Sequence, residues 1–173
     1  IGGRELIEQG FLTPPVIGAI HGDHYDTSKF RINSLGKFYK EDIDKAYHGK
    51  GRKTARIIED IIAQSQYRRG VMIFAATVQH AVECMESLPP ELSRMIGGDI
   101  NTGKNQRQRI VQDFKNKKYK YQVSVGTMTT GVDFTHVDVI ALLAPSESTG
   151  GVKQRVGRGL RLEYADGYNI DLQ

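Results

Sequence analysis

Val71-Met-Ile-Phe-Ala-Ala76 is the stretch that decides the fold of this 173-residue chain. Six consecutive apolar residues are typical of a β-strand that is buried on both faces of a sheet. Apolar residues at helical spacing flank this strand and predict helices over 53–66 and 78–88. A buried strand between two helices is the unit from which α/β sheets are built.

The rest of the chain continues this alternation of strands and helices. Strands are predicted at 95–98, 121–125, 137–143 and 168–172, and helices at 106–115 and 149–160. We therefore expect an α/β domain with a mostly parallel central sheet and helices on both faces. Ligands bind such sheets beyond the carboxyl ends of the strands. The segments expected along that edge are Thr77 and residues 98–104, 127–133 and 145–151.

Residues 1–52 differ from the regular pattern that follows, because Pro14-Pro15 ends a short predicted helix at 5–10, and residues 21–52 are polar and contain four glycines. A hairpin around Tyr25–Ile32 and a helix at Glu41–Tyr47 are predicted within them. We interpret 1–52 as a linker or irregular extension and 53–173 as the folded domain. The chain starts with Ile1 rather than Met, which favours a piece of a longer polypeptide.

The composition limits the classes of protein to be considered. The 24 basic and 20 acidic side chains give a net charge of +4, which permits an anionic partner. The single cysteine, Cys84, excludes an internal disulfide and a cysteine-rich zinc site, and favours a reducing, cytoplasmic compartment. We expect Cys84 in the core, and His80 and His136 at the surface or half-buried. No membrane-spanning helix is predicted, since no apolar run reaches about 18 residues. No metal site is predicted either, because no further ligand cluster accompanies the His and Asp side chains of residues 21–26.

A near match to a phosphate-binding motif follows the second predicted strand. Gly98-Asp-Ile-Asn-Thr-Gly103-Lys104 fits seven positions of the P-loop pattern, but Asn105 stands where a Ser or Thr hydroxyl would hold Mg²⁺. We therefore interpret the segment as a strand-to-helix loop. Such a loop can hold a nucleic-acid phosphate at the helix N-terminus, assisted by Lys104 and Arg107. A self-sufficient nucleotidase that uses residues 98–104 is the alternative.

The strongest chemical signal is Gln154-Arg-Val-Gly-Arg-Gly-Leu-Arg161. In a helix, Gln154, Arg158 and Arg161 share one face, and Arg155 lies beside them. The arginines repel one another, and each internal glycine costs about 1 kcal/mol relative to alanine. A nearby polyanion would explain both features, because guanidinium groups bind phosphate oxygens and glycines permit close approach of the backbone.

This segment resembles motif VI of superfamily 2 helicases. Thr129-Thr-Gly131-Val-Asp133 resembles their motif V, and Val71–Thr77 resembles their motif IV. Gly98-Asp99, followed by Arg107, is similar to the strand-helix element between these motifs. The resemblance covers residues 70–162. The segments GVMIFAATVQHA (residues 70–81) and LIEQGFLTPP (residues 6–15) are further similar to the RadD-type bacterial DNA repair helicases.

The resemblance implies a RecA-like, P-loop NTPase-like three-layer domain, the second of two motor domains. ATP and Mg²⁺ would be held mainly by the first domain of the same polypeptide, so the isolated chain is expected to be inactive. The family's arginine fingers match Arg158 and Arg161. Its other nucleotide-contacting positions match Gln154, Gly131, Asp133 and Arg155. Its contacts to the nucleic-acid backbone match Thr77, Lys104, Arg107, Thr129 and Thr130.

The expected partner is single-stranded or branched DNA in preference to RNA, in a bacterial cytoplasm at the nucleoid. Three alternatives stay open at this point: the motor of a restriction enzyme, an RNA helicase domain, and a non-catalytic nucleic-acid-binding module. Sugar and groove contacts distinguish DNA from RNA, and no motif in the chain reveals them.

Overall fold

The computed structural model describes residues 3–10, 24–97, 104–126, 134–145, 164–165 and 168–169. The helices are α1 (Gly3–Glu8), α2 (Lys40–Tyr47), α3 (Gly51–Gln64), α4 (Val78–Glu86) and α5 (Lys104–Lys115). The strands are β1 (Gly70–Ala75), β2 (Ser93–Gly97), β3 (Tyr121–Val125), β4 (Val137–Leu142), β5 (Tyr164–Ala165) and β6 (Tyr168–Asn169). The helix predicted at 149–160 lies outside the described residues.

A four-stranded sheet in the order β2-β3-β1-β4 forms the centre of the molecule. All of its pairings are parallel, and every residue of β1 is buried. A strand with neighbours on both sides and helices on both faces has no contact with water, so it must be apolar throughout. The α/β class with a parallel sheet, predicted from Val71–Ala76, is confirmed.

Alternate residues of β1 supply two separate cores. Val71 and Ile73 pack on one face with Ile58 of α3 and with α4. Met72 and Phe74 pack on the other face with Phe114 of α5 and others. This alternation follows from the period-2 geometry of a strand. Helices therefore cover both faces, and the predicted three-layer arrangement is confirmed.

The only thiol of the chain lies in the first of these cores. Cys84 is fully buried on α4, as the sequence predicts. Burial raises the pKa of its thiol to about 12. The side chain therefore acts as a small hydrophobe rather than as a nucleophile.

The pairing of β1 with β4 shifts register at its first residues. Gly70 pairs with Val137 and Val71 pairs with Val139, so Asp138 is left between two pairs. Its buried carboxylate accepts hydrogen bonds of 3.1 Å from the backbone N–H groups of Arg69 and Gly70. These bonds satisfy donors that the interrupted ladder leaves without a carbonyl partner, and they fix the register of the central strand.

His136 is buried, and its prediction as a surface or half-buried residue is wrong. Its ring lies edge-to-face with the Phe114 ring at 4.7 Å. A Cβ atom at Gly70 would lie 2.7 Å from its Cδ2 atom, so the imidazole fits only because residue 70 is glycine. The sequence pattern treats histidine as polar, whereas a flat ring among aromatic side chains can pack as part of a core.

Residues 24–50 contain a hairpin followed by α2. Ile32 and Phe38 form an antiparallel bridge, so the hairpin lies later in the chain than the predicted Tyr25–Ile32. The turn is set by Asn33, whose side-chain oxygen accepts hydrogen bonds from the N–H groups of Leu35 and Lys37. Gly36 takes a φ of 74°, a conformation that glycine adopts without strain.

The same segment contributes to the interior of the domain. Tyr25 and Tyr47 are only 8% and 2% exposed, and their rings lie 4.5 Å apart. The helix predicted at Glu41–Tyr47 is confirmed as α2. Within the described ranges, no helix has the length and apolarity needed to cross a membrane.

Candidate nucleotide and nucleic-acid interface

The carboxyl ends of four strands lie along one edge of the sheet, because the strands are parallel. β1 ends at Ala75, β2 at Gly97, β3 at Val125 and β4 at Leu142. The four segments predicted to be functional begin just after these ends. The fold therefore brings the starting points of all four to the edge where ligands bind in open α/β sheets.

Thr77 lies at this edge, between β1 and α4. It is the N-cap of α4, and its hydroxyl oxygen accepts a hydrogen bond of 3.1 Å from the N–H of His80. The residue adopts an extended backbone and satisfies one of the amides that every helix start leaves without a partner. Thr77, which the sequence predicts as a nucleic-acid contact, therefore has a structural role at the start of α4.

A histidine of the N-terminal segment also contacts Thr77. The Nε2 atom of His48 lies 2.6 Å from the Thr77 hydroxyl oxygen. The neighbouring Tyr47 hydroxyl donates a hydrogen bond of 2.8 Å to the carbonyl oxygen of Leu143, just beyond β4. The Gly49 N–H donates to Glu83 of α4. Residues 47–49 thus attach the end of α2 to the carboxyl edge of the sheet.

His80 is fully buried behind this edge, so its prediction as a surface or half-buried residue is wrong. Its Nδ1 atom accepts a hydrogen bond from the Ala76 N–H at 3.0 Å. The ring proton is therefore on Nε2, which donates to the Tyr25 hydroxyl at 2.8 Å. The Tyr25 hydroxyl is also hydrogen-bonded to the Thr54 hydroxyl at 2.8 Å.

The protonation state of His80 follows from this network. Burial, with a smaller contribution from His48, lowers the pKa of His80 to about 4, so the ring is neutral at pH 7. Burial also raises the pKa of Tyr25 well above its ordinary value. Both groups hold their protons in fixed hydrogen bonds rather than exchange them with a substrate.

The hydrogen bonds of four residues were not predicted from the sequence: Tyr25, Tyr47, His48 and Thr54. Their partners are 29 to 96 residues away in the chain, and no local period reports such contacts. One signal was available in the sequence. Residues 24–50 contain more aromatic side chains than is usual for a linker, namely Tyr25, Phe30, Phe38, Tyr39 and Tyr47. Aromatic residues carry large apolar surfaces that favour burial.

α5 starts at Lys104, directly after the predicted phosphate-binding loop. Arg107 lies in the first turn of this helix and is half-buried. In the described part of the chain, its Nε atom is buried without a hydrogen-bond partner. An unsatisfied guanidinium N–H is costly, and it makes Arg107 a suitable donor to an anion at this helix start.

The remaining predicted positions lie outside the described residues. They are Gln154, Arg155, Arg158, Arg161, Gly131, Asp133, Thr129 and Thr130. Among the residues that the structure does describe, no group of three or more His, Cys, Asp or Glu side chains could hold a metal ion.

Comparison with known proteins gives a match to the helicase conserved C-terminal domain family over residues 53–163. The chain is 35% identical over 65 residues to IRC3 of Saccharomyces cerevisiae, which is named as an ATP-dependent helicase. That alignment covers 38% of this chain and 9% of the yeast protein. The chain is also 28% identical over 100 residues to irc3 of Schizosaccharomyces pombe, and this alignment covers 55% of the chain and 16% of that protein. The chain therefore spans a small part of the length of these relatives.

A likeness to a solved structure supports the fold. The crystal structure of T4 UvsW matches with a TM-score of 0.55 and 19% sequence identity. The match covers 71% of this chain and 25% of UvsW. At this level of identity the likeness concerns the arrangement of the backbone.

Proposed function

Because the chain belongs to the helicase conserved C-terminal domain family, we propose that it is the second motor domain of an ATP-dependent DNA helicase or translocase. The observation that carries this proposal is the family match over residues 53–163. The parallel sheet supports it, because its four strands all end at one edge. Motif IV of the sequence ends at Thr77, just after β1, and motifs V and VI come after β3 and β4 in the chain. Ligands bind such sheets beyond these strand ends.

The proposed role in ATP hydrolysis belongs to the arginine-rich segment. Arg158 and Arg161 would stabilise the negative charge that develops on the γ-phosphate, as arginine fingers do. Gln154, Gly131 and Asp133 would contact the nucleotide, and Arg155 would brace their helix. ATP and Mg²⁺ would be held mainly by a partner motor domain, because the eighth position of the P-loop pattern is Asn105 in this chain.

The proposed grip on nucleic acid uses two helix starts at the same edge. Thr77 caps α4, and Lys104 and Arg107 lie in the first turn of α5. Thr129 and Thr130 follow β3 in sequence. Helix N-termini favour anions, and phosphate contacts carry no sequence information. A motor that moves along any sequence can therefore use them.

Motion would come from closure of the cleft between two motor domains. ATP favours the closed arrangement because groups from both domains contact it, and hydrolysis removes that preference. Each cycle would then shift the phosphate contacts of one domain relative to those of the other along a strand.

The subfamily and the cellular role are further parts of the proposal. The sequence GVMIFAATVQHA, which spans β1 and the start of α4, supports assignment to the RadD-type DNA repair helicases of the bacterial cytoplasm.

ATP hydrolysis tests the proposed function directly. We expect the 173-residue chain alone to hydrolyse no ATP, with or without single-stranded DNA. With its first motor domain present, turnover should be stimulated by DNA and should fall about 10³-fold or more in Arg161→Ala. Arg161→Lys is the matched control for charge, and it should remain defective because an ammonium lacks the planar fork of donors.

Two results would contradict this account. Hydrolysis by the isolated chain that is lost in Lys104→Ala would mean that residues 98–104 form a working P-loop. Full turnover in Arg161→Ala, in the presence of the first motor domain, would exclude the arginine finger.

A further inference from the structure

We propose that residues 29–40, here called the basic hairpin, contact unpaired nucleotides, with Leu35 against a base and Lys37 and Lys40 near phosphates. The inference deepens the proposed function and rests on it, because it assigns a nucleic-acid contact to a segment that no motif covers. The segment precedes residue 53, where the family match begins.

The charge of the hairpin favours a polyanion. Residues 29–40 read KFRINSLGKFYK and contain four basic side chains and no acidic one. Lys37 and Lys40 are exposed. Arg31 forms a two-pronged ion pair with Asp42 of α2, at 2.9 and 3.0 Å, so it serves as an anchor for the hairpin. The lysines remain available for a partner of opposite charge.

The tip of the hairpin presents an apolar side chain in a fixed position. Leu35 is 81% exposed, the largest exposure among the large aliphatic residues described. The Gly36 N–H donates to the Asn33 carbonyl oxygen at 3.0 Å, and the Asn33 N–H donates to that of Lys37 at 2.8 Å. The turn is therefore ordered before any partner binds, which lowers the entropy cost of binding.

The hairpin is attached near the functional edge of the sheet. The Phe30 ring lies 5.1 Å from Phe38 across the hairpin and 6.5 Å from Tyr47. Tyr47 in turn bonds Leu143 beyond β4. A strand held by Thr77 and the start of α5 would therefore pass close to the hairpin.

The chemistry of this surface selects one kind of nucleic acid. An aliphatic side chain can pack on the face of a base. In a duplex it reaches that face only by unstacking a base step, which costs free energy, whereas an unpaired base exposes its face. Lysines bind phosphates of either form. The combination of an apolar tip and basic flanks therefore fits unpaired nucleotides better than a blunt duplex.

Fluorescence anisotropy with the 173-residue chain tests the proposal. The probes are a labelled oligothymidylate and a labelled blunt duplex of equal length. We expect tighter binding to the single strand. Leu35→Ala should weaken binding to the single strand about fivefold, the factor expected when a few carbon atoms lose their contact, and should leave duplex binding unchanged. The double variant Lys37→Gln/Lys40→Gln should reduce the salt slope for the single strand by about 1.4.

Matched controls lie at the opposite edge of the sheet. Tyr67, 91% exposed, precedes β1, and the exposed Lys115 ends α5. Tyr67→Ala removes an exposed ring and Lys115→Gln removes one exposed lysine, and both variants should bind as the unchanged chain does. Circular dichroism verifies that every variant is folded.

Three outcomes would overturn the proposal, and they can be told apart. If the unchanged chain binds the single strand and the hairpin variants bind equally well, the hairpin assignment fails and the proposed function stands. If the unchanged chain binds no nucleic acid, the hairpin assignment and the proposed grip on the backbone both fail, whereas the arginine finger is tested separately by turnover with the first motor domain. If a photocrosslinker in place of Leu35 attaches to protein and never to the oligonucleotide, the surface is a protein contact.

Discussion

At the scale of single residues, the neutral, buried His80 makes stability depend on pH. Its pKa is about 4 in the folded chain, against an ordinary value of about 6.5. Between these values the unfolded chain binds the proton and the folded chain does not, so the free energy of unfolding falls on acidification. The loss is complete below about pH 4 and amounts to about 3 kcal/mol.

Urea unfolding at pH 7 and pH 4 checks this prediction. Other groups titrate in the same range, so the comparison is with His80→Gln, which cannot gain a proton and retains a donor toward Tyr25. The unchanged chain should lose more stability between the two pH values than the variant does. Equal losses of unfolding free energy in both proteins would show that His80 is not the titrating group.

At the scale of an element, α4 depends on its N-cap. Thr77→Ala removes the acceptor for the His80 N–H and the contact with His48. It should lower the free energy of unfolding by about 1 kcal/mol. Thr77→Ser retains the hydroxyl and should remain within about 0.5 kcal/mol of the unchanged chain. The measurement is denaturant unfolding, followed by circular dichroism.

The same pair of variants separates the two roles of Thr77. If Thr77→Ala weakens binding to single-stranded DNA while the helix stays folded, Thr77 also contributes to the grip on the backbone. A Thr77→Ala chain as stable as Thr77→Ser would mean that the cap contributes nothing.

At the scale of the whole molecule, the folding unit is larger than the family match. The match starts at residue 53, yet Tyr25 and Tyr47 are buried against the domain. Deleting residues 1–50 removes both rings and leaves the Nε2 donor of His80 without Tyr25. We expect a loss of about 4 kcal/mol or more, since each large buried side chain contributes about 1.5–3 kcal/mol.

Deleting only residues 1–10 is the matched control for this truncation. Arg4, Glu5 and Glu8 are exposed, so this shorter deletion should change the unfolding midpoint little. If 51–173 unfolds at the same urea concentration as the full chain, residues 24–50 are not part of the cooperative unit.

The fold was largely predictable because its determinants are local. The apolar run Val71–Ala76 specifies a buried strand by itself, and β3 spans the predicted residues 121–125. The buried histidines were not predictable in this way. His80 depends on Tyr25, 55 positions earlier, and His136 on the missing side chain of Gly70. In the candidate site, the positions of Thr77 and Arg107 follow from strand ends, whereas the contact of His48 depends on how the N-terminal segment packs.

The burial of Cys84 makes the native chain suitable for site-specific labelling. Burial raises the pKa of this thiol to about 12, so far less of it is thiolate at neutral pH than the few per cent of an exposed cysteine. Maleimide dyes react with the thiolate, so a single introduced exposed cysteine, such as Tyr67→Cys, should react far faster than Cys84. A dye at that position would report distances to a labelled strand without any change to the native core.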